Sequence, residues 1–330
     1  MTLPRITIVS PASARDNNGN WQTASRWAHF LRGPCMVEVS GNWTADTGPA
    51  AAPDLLIALH ARRSAASLAA FTNAFPERPT ILVLTGTDLY RDIDTSHEAR
   101  ASLERASALV VLQEAALARL PAPLRAKAHV IYQSAPMLAP TGDGPGERHL
   151  DICMIGHLRP EKDPLTFMRS AALVTNPRVR LLHIGGSLDP ALEAAARATA
   201  TANTRYGWLG SLPHAQTRAR LAGSHAMVIA STMEGGANVI IEAVTSGVPV
   251  LASDIEGNRG MLGMDYAGYF PPGDAAALAQ LIDRCAGDAA FDAQLRAQCA
   301  ARAPLFAPAA EQAALCDLVD NLLDKLPDKL

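Results

Sequence analysis

Short apolar runs alternate with alanine-rich stretches of helical character along most of the chain. Apolar runs without polar alternation are typical of strands that are buried on both faces, as in parallel sheets. We predict strands at 6–10, 36–39, 54–59, 81–84, 109–112, 130–132, 152–155, 180–184, 227–230 and 250–252. Helices are predicted between them, for example at 21–31, 64–75 and 97–106. This order predicts an α/β fold with two parallel sheets that carry helices on both faces.

A proline- and glycine-rich segment at 134–150 divides the chain and contains few large apolar residues, so it is predicted to be a linker. We therefore predict an N-terminal domain at 1–140 and a C-terminal domain at 141–304. A second break lies at Pro304 and Pro308, before a predicted last helix at 311–326. A chain of 330 residues is long enough for two domains of ordinary size.

The overall composition excludes several classes of protein. The formal net charge of −3 argues against nucleic acid as a main partner. The five cysteines are scattered and form no C-x-x-C, which favours reduced thiols in the cytoplasm over a zinc or disulfide framework. We expect no signal peptide and no membrane insertion, because no apolar run approaches the roughly 18 residues that span a bilayer. The composition does not indicate an oligomeric state.

The segment from Glu234 to Glu242 places two carboxylates eight positions apart, with Gly235 and Gly236 directly after the first. An apolar run at 226–230 precedes it and a helical stretch follows, so the glycines fall at the start of a helix. Free N–H groups and the positive end of the helix dipole favour phosphates or hydroxyl-rich ligands there. Glu242, about one turn into the helix, could accept two hydroxyl hydrogen bonds from a ribose. The alternative is a glycine-rich turn with two solvated glutamates.

Residues 234–253 resemble the nucleotide-sugar site of the family-four glycosyltransferases, where E-G-F-G is followed by four residues, then E-A and G-x-P-V. The resemblance implies the GT-B architecture, in which two Rossmann-like domains face each other across a cleft. It also implies that the C-terminal helix, 305–330, packs back on the N-terminal domain. Neither domain carries a G-x-G-x-x-G after its first strand, which weakens the alternative of a nicotinamide-dependent dehydrogenase.

The segment from Gly156 to Pro164 resembles the family's G-R-L-x-x-x-K-G, whose basic residues hold the donor diphosphate. Lys162 matches the family lysine, His157 takes the place of the arginine, and Arg159 follows two positions later, so either can supply the second cation. A leaving diphosphate needs such cations in the transition state, although a solvated basic loop is the alternative. The resemblance implies catalytic roles for Lys162, Arg159 and Glu234. It implies donor binding by His157, Gly156, Trp208, Leu209, Gly235, Gly236, Ala237, Asn238, Val239, Glu242, Gly19 and Asn20.

The N-terminal domain carries basic residues where a predicted strand ends and a helix begins. His60, Arg62 and Arg63 are unusual because helix starts favour acidic residues, and they indicate either an anion pocket or a solvated patch. We predict that the acceptor is bound by His60, Arg62, Arg63, Thr85, Gly86, Thr87 and Asp88. The sequence from Asp92 to Asp94 imitates a D-x-D metal motif but lies in the wrong domain for that role. We therefore expect neither a metal nor another cofactor.

Segments along nearly the whole chain resemble the SenB-type selenosugar synthases of selenoneine biosynthesis. These are G-N-x-x-T-A-x-R-W, A-L-H-A-R-R-S-A, L-T-G-T-D-L-Y-R-D, V-I-Y-Q-S-A, G-H-L-R-P-x-K-D-P, M-E-G-G-A-N-V and G-Y-F-P-x-G-D. The resemblance implies transfer of the sugar of a UDP-sugar, UDP-N-acetylglucosamine or UDP-glucose, to selenophosphate. The alternatives are a transferase that uses an ordinary hydroxyl acceptor, a UDP-sugar epimerase, and a non-catalytic UDP-sugar sensor.

Overall fold

The computed structural model describes residues 3–13, 19–45, 52–138 and 149–326. The chain divides into unit 1, Met1–Gln133 with Pro308–Leu330, and unit 2, Ser134–Ala307. The domain boundary predicted at 140/141 falls in 139–148, outside the described residues. Within the described residues, no helix combines the length and apolar character that crossing a membrane requires.

Unit 1 is built on a parallel sheet of six strands within the described residues, in the spatial order β2-β1-β3-β4-β5-β6. The strands are β1 Arg5–Val9, β2 Met36–Ser40, β3 Leu55–Leu59, β4 Thr80–Leu84, β5 Ala108–Val111 and β6 Ala128–Val130. The first helices are α1 Gly19–Leu31, α2 Ala65–Ala74, α3 Ile93–Thr95 and α4 His97–Arg105. A π-helical turn, Asp88–Asp92, leads into α3.

Both faces of the unit 1 sheet are buried, because successive residues of a strand point to opposite sides. Ile57 of β3 lies in a core with Trp27 of α1, and its neighbour Leu56 lies in a second core with Phe71 of α2. Burial on both faces explains why the strands of unit 1 are continuous apolar runs in the sequence. Unit 1 therefore has the predicted parallel sheet with helices on both faces.

Unit 2 repeats this architecture, with six parallel strands among its described residues in the order β12-β11-β10-β7-β8-β9. They are β7 Leu150–Ile155, β8 Val179–Ile184, β9 Tyr206–Trp208, β10 Ala226–Ile229, β11 Val250–Ser253 and β12 Tyr269–Phe270. Its helices are α5 Pro164–Ser170, α6 Pro190–Ala202, α7 His214–Ala222, α8 Asn238–Thr245, α9 Glu256–Leu262, α10 Ala275–Gly287 and α11 Ala289–Arg302. The predicted α/β class with two Rossmann-like sheets is confirmed. The edge strands β9 and β12 were not among the predicted strands, and the two residues of β12 are too few to produce a pattern.

The last helix, α12 Pro308–Leu323, belongs to unit 1 and packs on α1. The fully buried carboxylate of Glu311 in α12 accepts hydrogen bonds from Arg26 Nε (2.7 Å) and from a second nitrogen of the same guanidinium (3.1 Å). It also accepts one from Trp27 Nε1 (2.7 Å). A buried carboxylate requires such donors, so charge as well as apolar packing holds α12 on α1.

Candidate active site

Two loops of unit 2 meet at the carboxyl edge of its sheet and bring Lys162 to Glu234. The loops follow β7 and β10, which pair directly and in parallel. Lys162 Nζ donates to Glu234 Oε1, which also accepts from Ser231 Oγ (2.5 Å). The Lys162 and Glu234 side chains are 15% and 11% exposed. Two of the three residues predicted to be catalytic are therefore in contact at the edge where open parallel sheets bind ligands.

The loop after β7 packs so closely on the end of β8 that glycine is required at one position there. A Cβ on Gly156 would lie 3.5 Å from Lys162 Cγ, so the lysine chain runs along this glycine. Gly185, at the end of β8, has a φ of +155°, and a Cβ there would lie 1.9 Å from Gly156 O. These contacts fix the path of the loop that carries Lys162.

The two candidate second cations differ in how they are held. His157 Nδ1 accepts a hydrogen bond from the Gly186 amide (3.0 Å), so the proton of the neutral ring lies on Nε2. The exposed His157 ring can therefore donate from Nε2. Arg159 is exposed and forms no ion pair with the part of the chain that the structure describes. Both remain available to an anionic ligand.

The buried His183 forms a hydrogen bond to the backbone of the loop that follows β7. His183 Nε2 donates to Gly156 O (3.1 Å), and His183 Nδ1 accepts from the Tyr206 hydroxyl (3.1 Å). Burial lowers the pKa of His183 to about 4, despite the opposing effect of the bond to Gly156, so the ring is neutral at pH 7. The neutral ring has one donor and one acceptor, and both are used.

Glu242, the second carboxylate of the pair, is held by a residue that no sequence motif indicated. Its Oε1 lies 2.7 Å from Nε2 of His214, the first residue of α7.

Trp208 and Leu209, also predicted to bind the donor, lie at the end of β9 and just after it. Trp208 Nε1 donates to Gly185 O (2.8 Å), and the guanidinium of Arg197 lies 5.1 Å from the Trp208 ring centroid. Leu209 is exposed, and its amide donates to the His183 carbonyl.

The first turn of α8 carries no capping side chain. Ala237 occupies the N-cap position with φ −80° and ψ 100°, and no acidic residue lies in the first turn. Gly235 and Gly236 precede it, and Asn238 and Val239 begin the helix. Amides at an uncapped helix start attract anions and hydroxyl oxygens. The five predicted donor-binding residues of this segment thus form one continuous helix start beside Glu234.

In unit 1 the predicted acceptor residues come together after the neighbouring strands β3 and β4. Asp88, which is fully buried, accepts from the amides of Ala61 (2.9 Å), Thr85 (2.9 Å) and Gly86 (2.8 Å). Its carboxylate thus holds the two loops together and is occupied by the protein itself. The predicted segments are adjacent, but Asp88 acts within the unit as a structural tie.

His60 occupies a strained position beside this tie. It is buried and has a φ of 73°, a conformation rare outside glycine. Its Nδ1 accepts from the Arg63 amide (3.3 Å), and its Nε2 lies 3.1 Å from Thr87 Oγ1. Burial lowers the pKa of His60 although the Asp88 carboxylate opposes this shift. Strained residues of this kind are concentrated at functional sites.

Two arginines surround a buried carboxylate next to His60. Asp92 is ion-paired with Arg62 (3.2 Å) and with Arg91 (3.3 Å), and both arginine side chains remain nearly half exposed. Arg63 is exposed and forms no ion pair among the described residues. The surface therefore carries three arginines, and the buried carboxylate of Asp92 lies beneath two of them. Asp94, the other acid of the D-x-D sequence, pairs with Arg119 (3.0 Å).

The loop predicted to lie over the donor or the acceptor is described only at its ends, since 14–18 lie outside the described residues. Gly19 and Asn20 form the first positions of α1. Thr23 Oγ1 donates to Gly19 O (2.8 Å) and accepts from Gln133 Nε2, which follows β6. These bonds fix the first turn of α1.

One group of metal-ligand types, His225, Cys285 and Asp292, lies close together among the described residues. Each member already has a partner there. His225 Nε2 lies 3.1 Å from the Cys285 carbonyl, and Asp292 Oδ2 accepts from Arg296 Nε (2.8 Å). Burial raises the pKa of the Cys285 thiol to about 12. The protein itself satisfies this cluster.

Comparisons with known proteins agree with this geometry. Residues 143–305 match the family described as glycosyl transferases group 1. The HepE protein of Anabaena, crystallised with UDP, is 16% identical and has a TM-score of 0.77, with 97% of this chain and 100% of that chain covered. Sucrose-phosphate synthase from Thermosynechococcus elongatus is 17% identical and has a TM-score of 0.78, with 98% and 100% covered. The lipopolysaccharide outer core galactosyltransferase WaaB, in its apo form, is 14% identical with a TM-score of 0.70 over 96% and 99%.

These matches agree with the two-sheet architecture. The chain has the GT-B fold, and the residues that match the group 1 glycosyl transferases span almost all of unit 2. The pair Lys162–Glu234 and the start of α8 lie within the matched residues.

Proposed function

We propose that this protein transfers the sugar of UDP-N-acetylglucosamine or UDP-glucose to selenophosphate, giving a selenosugar, UDP and phosphate, in selenoneine biosynthesis. The assignment of a UDP-sugar as the donor is supported chiefly by the contact between Lys162 and Glu234. This contact lies beside an uncapped helix start, within the residues that match the group 1 glycosyl transferases. Solved relatives by fold are described as complexes with UDP, and one as a complex with UDP-glucose. The acceptor half rests on the sequence resemblance and on the cationic surface of unit 1.

The donor site supplies the groups that departure of UDP needs. Lys162, His157 and Arg159 provide positive charge and hydrogen-bond donors for the diphosphate. The first amides of α8 add the positive end of the helix dipole. Glu242 accepts from the ribose hydroxyls and Glu234 from the sugar hydroxyls. Glu242 lies beside His214, and Glu234 accepts from Lys162, so contacts within the protein orient both carboxylates.

The acceptor site suits a small, multiply charged anion. Arg62 and Arg63 lie on the exposed surface after β3, and a guanidinium can bind two oxygens at once. Selenophosphate is already a strong nucleophile, so it needs charge and orientation more than a general base.

In the proposed reaction, selenium attacks the anomeric carbon and the bond from that carbon to the UDP oxygen breaks. UDP leaves with the electron pair, and its charge is stabilised by Lys162 and the α8 amides. Water then cleaves the phosphorus–selenium bond and releases phosphate. The products are one selenosugar, one UDP and one phosphate.

The alternative function is transfer to an ordinary hydroxyl acceptor, which would need a general base. His60 is neutral because burial lowers its pKa, and it lies beside Thr87 with Asp88 and Asp92 near its ring nitrogens (4.0 and 3.9 Å). His60 Nδ1 already accepts from the Arg63 amide and the ring is buried, so His60 could act as a general base toward a hydroxyl group only after this hydrogen bond opens.

The experiment that separates these functions mixes the purified protein with UDP-N-acetylglucosamine, with and without selenophosphate, and follows UDP release together with product mass. We expect UDP release that depends on selenophosphate and a product that contains selenium. Donor binding without such release would discard the selenophosphate assignment and direct the search to hydroxyl acceptors.

Variants test the acceptor assignment separately. Arg62→Ala and Arg63→Ala should raise the KM for selenophosphate about tenfold or more, since each removes a charged hydrogen bond, and leave the KM for UDP-sugar unchanged. Arg100→Ala, an exposed arginine of α4, is the matched control. An unchanged KM for selenophosphate in both variants would refute the assignment.

A further inference from the structure

Behind Glu234 lies a series of buried hydrogen bonds that begins at Asn258 in α9. Asn258 Nδ2 donates to the carbonyl (2.9 Å) and to the hydroxyl (3.0 Å) of Ser253, the last residue of β11. Ser253 Oγ donates to the Ser231 carbonyl (2.6 Å), and Ser231 Oγ donates to Glu234 Oε1 (2.5 Å). The Asn258, Ser253 and Ser231 residues are 0% exposed. Asn258 donates to Ser253, Ser253 donates to Ser231, and Ser231 donates to Glu234, so the hydrogen bonds all run toward the carboxylate.

The backbone of Glu234 is held by the same helix. Gly257, the residue before Asn258, lies so close that a Cβ there would be 2.1 Å from Glu234 O and 3.1 Å from Glu234 Cβ. The first turn of α9 therefore contacts the main chain of Glu234, while Asn258 acts on its side chain through two serines. Glu234 is fixed from two sides by one short helix.

The two carboxylate oxygens of Glu234 consequently differ. Oε1 accepts from both Ser231 Oγ and Lys162 Nζ, whereas Oε2 accepts no hydrogen bond from the described residues. The buried Asn258 Oδ1 also has no partner there, so the Asn258 amide is held through its NH₂ group alone. A buried amide oxygen without a donor is unfavourable. The interactions that favour an amide at this position are therefore the hydrogen bonds that its NH₂ group donates to Ser253.

We propose that Ser231, Ser253 and Asn258 are positioning residues that fix Glu234 in one rotamer and aim its Oε2 at a hydroxyl group of the donor sugar. This inference rests on the proposed function, in which Glu234 binds the sugar. The three residues act on the sugar through Glu234 and leave the binding of the UDP portion alone.

The test measures affinity for UDP and for UDP-N-acetylglucosamine by calorimetry in Ser231→Ala, Ser253→Ala and Asn258→Ala, each alone and combined with Glu234→Ala. We expect Ser231→Ala to weaken UDP-N-acetylglucosamine about tenfold, because it removes a hydrogen bond to a charged group, and to leave UDP affinity unchanged. Ser253→Ala and Asn258→Ala should act in the same direction with a smaller effect. In the Glu234→Ala background none of the three should weaken the sugar nucleotide further.

Two controls distinguish positioning from general destabilisation. Ser231→Thr keeps the hydroxyl and should restore the affinity for UDP-N-acetylglucosamine, and it also covers the case in which the alanine variant fails to fold. Ser170→Ala removes an equally buried hydroxyl, which donates to Phe167 O (2.8 Å) in α5, and should change neither affinity.

Equal losses with and without the Glu234 side chain, or a parallel loss of UDP affinity, would overturn the positioning role. If Glu234→Ala itself leaves UDP-N-acetylglucosamine affinity unchanged, the sugar-binding role of Glu234 is wrong and the positioning proposal falls with it. If the affinities behave as expected but no selenophosphate-dependent turnover occurs, the positioning proposal stands and only the acceptor is wrong.

Discussion

The buried ring of His183 predicts a specific dependence of stability on pH. Its pKa is about 4 in the folded protein and about 6.5 in an unfolded chain. As the pH falls, the unfolded state takes up the proton first, so this contribution is complete above about pH 6.5 and is lost toward pH 4. With about 1.4 kcal/mol for each pKa unit, the loss reaches about 2 kcal/mol at pH 5 and about 3 kcal/mol at pH 4.

The assay compares wild type with His183→Gln by urea unfolding at pH 7 and pH 5. Glutamine cannot titrate, so the contributions of other groups cancel in the difference between the two proteins. The variant should have a smaller free energy of unfolding than wild type at pH 7, and this difference should be about 2 kcal/mol smaller at pH 5. Tyr206→Phe is the control, since it removes one hydrogen bond of about 1 kcal/mol but keeps the titrating ring, so its difference in stability from wild type should change with pH much less than that of His183→Gln. A pH-independent gap for His183→Gln would refute the reasoning.

Three further outcomes are expected. Glu311→Ala should destabilise unit 1 by about 3 kcal/mol in urea unfolding because it leaves the half-buried guanidinium of Arg26 and the buried indole N–H of Trp27 without their acceptor, whereas Glu193→Ala, which breaks an exposed pair in α6, should change little. Glu242→Ala should weaken UDP binding about tenfold in calorimetry, since the ribose loses a charged acceptor, and normal UDP affinity would disprove that role. Gly257→Ala must displace α9 from Glu234 O, so we expect a loss of about 1–3 kcal/mol in thermal unfolding together with weaker UDP-sugar binding, and unchanged values would contradict the close contact.

The fold could be predicted from the sequence because its strands are buried on both faces. β3 and β10, for example, consist entirely of buried apolar residues and stand out from the helices around them. β12 has two residues, and a pattern needs more positions than that. The carboxyl-edge rule for parallel sheets also predicted that Lys162 and Glu234 lie at one edge of the sheet, and the structure brings them into contact.

The functions of individual polar atoms could not be predicted in this way. Asp88 has the residue type and position of a ligand-binding carboxylate, yet its oxygens are taken by three backbone amides. His214 holds Glu242 from another helix, and Asn258 acts on Glu234 through two serines. These partners are brought together by the packing of neighbouring strands. The spacing of residues in the sequence cannot predict such contacts, because it indicates only which residues lie on the same helix or strand.

The return of α12 to unit 1 has a consequence for folding during synthesis. Unit 2 is contiguous and can fold as soon as it leaves the ribosome, whereas unit 1 is interrupted by all of unit 2. Until α12 emerges, the apolar face that receives Leu315 and Val319 stays open and Arg26 lacks its carboxylate partner. The domain made first is thus expected to be completed last, and its uncovered face is the surface that a chaperone would protect meanwhile.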